Sequence, residues 1–79
     1  MTLDIFTPEQ TVFNGKAESV MVPGKNDKPF VILDSHAPII SVLEKGTVKY
    51  VVNGCDFELN ISRGFVEVRK NIVTVCAEL

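Results

Sequence analysis

The dipeptide Asn53-Gly54 lies between two runs of alternating apolar and polar residues, and nothing else in the chain constrains its fold as strongly. Asn-Gly readily takes the positive φ angles of a type I′ turn, whose twist matches that of the strands it joins. The spacing predicts a β-hairpin over residues 47–62. A two-residue loop sets Val52 opposite Cys55, Tyr50 opposite Phe57 and Val48 opposite Leu59, gathering the apolar side chains on one side of the ribbon. Lys49 then opposes Glu58 and Thr47 opposes Asn60 on the other side, pairs worth at most ~1 kcal/mol each. A slip of one residue would turn every side chain to the wrong face.

The flanking segments follow the same period of two. Leu3 and Ile5 alternate with Thr2 and Asp4 in a first strand, with Phe6 on its polar side, and Thr7-Pro8-Glu9 closes it because proline cannot donate to a ladder. Val12 and Phe13 precede Asn14-Gly15, which reads as a second turn. Residues 17–22 resume as a strand, Val20 and Val22 on one face and Ser19 and Met21 on the other, until Pro23-Gly24. Residues 25–29 are polar and turn-rich, whereas 30–33 form an apolar run expected to be a strand buried on both sides. The short, β-branched run 39–43 reads as a strand. Gly64 breaks the pattern after the hairpin. A turn at Lys70-Asn71 then sets Val68 against Val73 and Val66 against Val75 on the core side, Glu67 against Thr74 outside, with Phe65 and Cys76 also facing outward. About eight to ten short strands without a convincing helix make an all-β domain over 1–79, an antiparallel flattened barrel or sandwich.

Several function classes lose support. A net charge of −2 without a Lys/Arg run removes the electrostatic footprint of nucleic-acid binding. No apolar stretch approaches the ~20 residues of a membrane span, so direct membrane insertion is not expected. Cys55 and Cys76 sit in apolar strand patterns with no signal sequence before Thr2, and read as small buried hydrophobes in a reducing compartment. Asp34-Ser35-His36 has the letters of a hydrolase triad, but consecutive residues of extended chain point to alternate sides, and the chain has one histidine. The cysteines lack a Cys-x-x-Cys spacing for metal, Gly24-Lys25 lacks the rest of a phosphate loop, and Asn60-Ile61-Ser62 is a sequon placed on a strand. No catalytic, cofactor-binding or metal-binding residue is expected. Taken by themselves, residues 25–29 read as a solvated turn and His36-Ala37-Pro38 as a segment of core.

One quantity points to a partner. Hydrophobic residues make up 46% of the chain, yet a domain of this size hides only ~60–65% of the surface its unfolded chain exposes. Apolar surface must stay outside, and contiguous exposed apolar patches mark interaction sites.

The residues also resemble a known family. Leu3-Asp4-Ile5, Thr7-Pro8-Glu9-Gln10, Val12-Phe13-Asn14-Gly15, Val20-Met21-Val22-Pro23-Gly24, His36-Ala37-Pro38-Ile39-Ile40, Leu43, Gly46 with Val48, Gly64 with Glu67-Val68, and Val73-Thr74-Val75 with Ala77 follow, in order, the N-terminal domain of the epsilon subunit of F-type ATP synthase. The mitochondrial counterpart is called delta. Where the family has Gly-x-x-Pro-Gly before His-Ala-Pro, this chain has Val31, Asp34 and Ser35, and Arg63 replaces one of two consecutive glycines. It reads as a short form, stopping at Glu78-Leu79 where longer members continue into a helical hairpin that restrains ATP hydrolysis.

The resemblance implies a flattened barrel or sandwich of about ten strands, without a catalytic site or cofactor, in the central stalk of a rotary motor. It implies a gamma-subunit contact through Thr7, His36, Ala37, Pro38, Ile40 and Val42, and a contact with the ring of membrane proton-carrying subunits through Asn26, Asp27, Lys28 and Pro29. The expected role is to lock ring to gamma, so that proton-driven rotation reaches the ATP-synthesising sites elsewhere. The expected place is the cytoplasmic face of a bacterial inner membrane, bound peripherally, since no transit peptide precedes Thr2. The alternative is a free-standing β-sandwich binding a peptide or sugar, which needs an aromatic-lined groove; the chain has no Trp and one Tyr.

Overall fold

The hairpin forms in the expected register. In the computed structural model, which describes residues 1–79 except for the side chain of Asp27, Asn53 and Gly54 adopt φ of 51° and 76°. The strands they join pair Val52 with Cys55, Tyr50 with Phe57, Val48 with Leu59, Lys49 with Glu58 and Thr47 with Asn60. The Glu18 carboxylate accepts hydrogen bonds from the amides of Asn53 (3.1 Å) and Gly54 (2.8 Å), tying the turn to the neighbouring corner.

The described residues form nine strands in two sheets: β1 (Thr2–Phe6), β2 (Thr11–Lys16), β3 (Ser19–Val22), β4 (Phe30–Leu33), β5 (Ile39–Leu43), β6 (Gly46–Val52), β7 (Cys55–Ile61), β8 (Arg63–Arg69) and β9 (Ile72–Glu78). One sheet runs β2-β1-β9-β8-β5 and the other β4-β3-β6-β7, which bears out the all-β sandwich. Lys70 and Asn71, at φ of 52° and 60°, turn β8 into β9 and set Val68 opposite Val73 and Val66 opposite Val75. One pair is parallel: β1 lies beside β9, with Leu3 opposite Val73 and Ile5 opposite Val75.

Alternate residues of both sheets meet in the middle. Leu3, Ile5, Val20, Val22, Ile32, Leu43, Val48, Val66 and Val75 are wholly buried there. Burying each such side chain contributes about 1.5–3 kcal/mol relative to leaving it exposed.

Four sequence expectations about the strands are corrected. Asn14-Gly15 is not a turn but the middle of β2. Asn14 faces out and hydrogen-bonds Asp4, and Gly15 faces in opposite Leu3, leaving room for the Phe13 ring 3.2 Å from where a Cβ would stand. The chain turns earlier, where the Thr7 amide donates to the Gln10 carbonyl (2.8 Å) and the Thr7 hydroxyl oxygen accepts from the amides of Glu9 and Gln10 (3.3 Å each). Second, β4 is an edge strand with one buried face: Ile32 is inside, while Val31 and Leu33 are 48% and 57% exposed. A four-residue apolar run cannot reveal whether a second layer covers it. Third, the cysteines are not buried hydrophobes: Cys55 is exposed and Cys76 half-buried, because strand alternation turns Cys76 outward and places Cys55 at a hairpin tip. Fourth, Gly64 does not interrupt the strand; β8 runs through it, and a Cβ there would lie 2.3 Å from the Cys76 carbonyl oxygen.

Candidate interaction surface

Alternation in the five-stranded sheet sends the residues between the core positions to its outer side. The register lines them up across strands: Val42 on β5 is opposite Phe65 on β8, Phe65 is opposite Cys76 on β9, and Cys76 is opposite Phe6 on β1. The result is an apolar row crossing four strands. Val42 is 56% exposed, Phe65 47% and Phe6 38%, and Ile40 beside them is 74% exposed. Phe6, Pro8, Phe65 and Cys76 share a shallow apolar depression along this row. The next row, Ile40, Glu67, Thr74 and Asp4, is polar beyond Ile40 and bounds the patch on one side. Burial pushes the Cys76 thiol above its ordinary range, and the charge of Glu67 adds to the effect, so the sulfur stays protonated at neutral pH and acts as apolar surface.

The six residues implied in a gamma contact divide into three groups. Ile40 and Val42 belong to the exposed patch. Ala37 and Pro38 are exposed and His36 is half-buried, in the connection leading into β5, so this segment is not core. Its His36 Nδ1 lies 2.8 Å from the Ala37 carbonyl oxygen, a geometry that places a proton on Nδ1. Thr7 is buried at 8% exposure, its hydroxyl engaged within the turn after Phe6. Phe6, Phe65 and Cys76 were marked by the sequence as outward-facing but not as parts of a site; the signal was an apolar side chain on the polar side of an alternating strand.

Asp34-Ser35-His36 forms a turn rather than a catalytic constellation. The Asp34 carboxylate accepts from the Met1 amine at 2.5 Å, and this hydrogen bond and charge hold it below the usual carboxylate range. Ser35 sits at φ of 62°, in the left-handed region, with its amide donating to Asn71 Oδ1 at 2.9 Å. Among the described residues, no three His, Cys, Asp or Glu side chains gather to hold a metal ion.

The loop implied in a ring contact lies between β3 and β4. It closes as a single 3-10 turn, Lys25–Asp27, with the Lys28 amide donating to the Lys25 carbonyl at 3.2 Å. Asn26 is left-handed at φ of 58°, and a Cβ on Gly24 would stand 2.2 Å from the Lys28 carbonyl oxygen, so only glycine fits there. Asn26, Lys28 and Pro29 are exposed, whereas the side chain of Asp27 lies outside the described residues. Glu44, just beyond β5, accepts from the Asn26 amide at 3.1 Å. No described helix is long and apolar enough to cross a membrane.

Known proteins share this fold. The sequence matches the family described as "ATP synthase, Delta/Epsilon chain, beta-sandwich domain" over residues 1–79. It is 44% identical over 77 residues to the ATP synthase epsilon chain of Desulfitobacterium hafniense, covering 98% of this chain and 58% of that one. It is 36% identical over 78 residues to the epsilon chain of Dehalococcoides mccartyi, covering 99% and 55%. This chain thus spans a little over half the length of these relatives. Among solved structures, a chain of the Tetrahymena thermophila mitochondrial ATP synthase central stalk/c-ring matches with a TM-score of 0.84 at 18% identity, over 99% of this chain and 63% of that one. A chain of the Euglena gracilis mitochondrial ATP synthase matches with a TM-score of 0.85 at 17% identity, over 95% and 48%. At those identities the likeness is one of fold. The sequence match over the full length settles the family: the chain belongs to the ATP synthase delta/epsilon family, as its β-sandwich domain.

Proposed function

We propose that this chain is a non-catalytic central-stalk component of a rotary F-type ATP synthase, joining the gamma subunit to the ring of membrane proton-carrying subunits. The observation that carries this reading is the apolar row Val42, Phe65, Cys76 and Phe6, with Ile40, on the outer side of the five-stranded sheet. A surface of this kind, backed by a close-packed core, suits a contact that must transmit torque without slipping. Gamma docks on this face, Ile40 and Val42 lying within it, and the exposed Ala37-Pro38 segment with His36 extends the contact at the start of β5. Thr7 contributes by shaping the turn next to Phe6. Residues 26–29 rest on the ring, from a loop whose backbone is fixed by Gly24 and the 3-10 turn.

Proton flux then turns the ring, this domain carries the rotation to gamma, and gamma drives the catalytic sites of other subunits toward ATP synthesis. In keeping with the bacterial epsilon chains among its relatives, its place is the cytoplasmic face of the inner membrane, held there through its partners. Co-purification with the cognate gamma subunit tests the reading. Stable one-to-one association supports it, and a monomer without affinity for gamma overturns it in favour of a free-standing binding module.

A further inference from the structure

The two contacts in the proposed function belong to different sheets. The gamma-facing row lies on the five-stranded sheet, whereas the ring-facing loop extends from β3 in the four-stranded sheet. Torque passing between them loads the sandwich in shear, and an unsupported loop would bend before the sheets moved. The junction of β5 with β6 meets that loop in two ways. Glu44 Oε1 accepts the Asn26 amide at 3.1 Å. Gly46 lets Pro23 approach so closely that a Cβ on Gly46 would stand 2.6 Å from Pro23 Cβ. The Asn26 amide gains a partner in a left-handed turn that has no ladder to supply one.

We propose that Glu44 is a positioning residue that fastens the 23–29 loop to the end of β5, making the ring contact and the gamma contact one mechanical unit. This inference rests on the function proposed above and adds a residue outside both contacts. Glu44 follows Leu43 directly, two residues after Val42, so the path from the loop to the apolar row is short. The carboxylate oxygen acts here as an acceptor, and a glutamine amide oxygen can replace it.

The test compares Glu44→Ala and Glu44→Gln with the unaltered chain. Amide hydrogen exchange at Asn26 in the full chain should speed up about 5–10-fold in Glu44→Ala, the factor expected for one exposed hydrogen bond, and stay near the original rate in Glu44→Gln. In an assembly with cognate gamma and ring, Glu44→Ala should weaken ring association by about 3–10-fold with gamma association unchanged, and Glu44→Gln should restore it. A merely structural role would lower both associations together. Unchanged exchange at Asn26 in Glu44→Ala overturns the clamp, and faster exchange without loss of ring association overturns the mechanical link. Should the unaltered chain lack affinity for the ring while the exchange difference persists, the function above fails and the coupling fails with it.

Discussion

Phe65 and Cys76 face each other across β8 and β9 on the outer side of the five-stranded sheet, which puts a thiol beside an aromatic ring at the centre of the apolar row. That placement makes Cys76 a reporter of whatever covers the row, with exposed Cys55 on the other sheet as an internal control. Partial burial and the nearby Glu67 charge raise the Cys76 thiol, so less of it is thiolate at a given pH and alkylation is slowed. We predict that iodoacetamide at pH 8 labels exposed Cys55 faster than half-buried Cys76, with the Cys76 rate still climbing above the ordinary thiol range. Added gamma subunit should protect Cys76 and leave Cys55 unchanged. Peptide mass spectrometry reads both sites, and equal labelling of Cys76 with and without gamma would count against docking on this face.

Ile40 offers a cleaner perturbation, because its side chain is 74% exposed and holds little of the core. Ile40→Asp should change folding stability by no more than ~1 kcal/mol, including the repulsion from Glu67 directly opposite. Its effect on gamma binding should be far larger, about tenfold or more, since a carboxylate would be buried without a partner in an apolar contact. Circular dichroism with a thermal melt checks folding, and a pull-down checks association. Full gamma binding by a folded Ile40→Asp variant would remove Ile40 from the contact.

How much of this was written in the sequence depends on how local the determinant is. The registers of β6 with β7 and of β8 with β9 were legible because two-residue turns at Asn53-Gly54 and Lys70-Asn71 leave one pairing consistent with the alternation. The parallel pairing of β1 with β9 was not, because it joins opposite ends of the chain with no turn to announce it. Asn14-Gly15 misled because the same dipeptide signals a turn or, as here, lets a strand accommodate the neighbouring Phe13 ring. The outward direction of Phe6, Phe65 and Cys76 could be read from period two alone. Their union into one row needed the strand order, and that order depends on the β1-β9 contact.

Ser35 holds a left-handed backbone at φ of 62°, a region that glycine occupies at least cost. A serine Cβ in that region costs roughly 1–2 kcal/mol, part of which is offset because glycine has more freedom to lose on folding. We predict that Ser35→Gly stabilises the fold by about 0.5–1 kcal/mol, raising Tm by roughly 2–8 °C for a domain of this size. The amide bond to Asn71 is a backbone donation and survives the change. A differential scanning calorimetry trace with Tm at or below that of the unaltered chain would mean that the serine hydroxyl contributes something the geometry does not reveal.

Gly64 and Gly54 provide a paired test of two different reasons for glycine. Gly54 has a positive φ of 76° with open space around it, so Gly54→Ala meets only the backbone penalty, about 1 kcal/mol. Gly64 has no positive φ, but it sits between Leu43 and Ala77 in the sheet, and an added methyl would stand 2.3 Å from the Cys76 carbonyl oxygen and 3.0 Å from Ala77 Cα. Both atoms are backbone and cannot swing aside, so β8 must separate from β9. Gly64→Ala should therefore cost about 2–4 kcal/mol, lowering Tm by roughly 8 °C or more. The same displacement would shift Phe65 relative to Cys76, so gamma binding should weaken even at temperatures where Gly64→Ala remains folded. Denaturant titrations of the two variants side by side decide the matter: if Gly54→Ala proves the more damaging, the close approach of β8 to β9 is not what requires glycine at position 64.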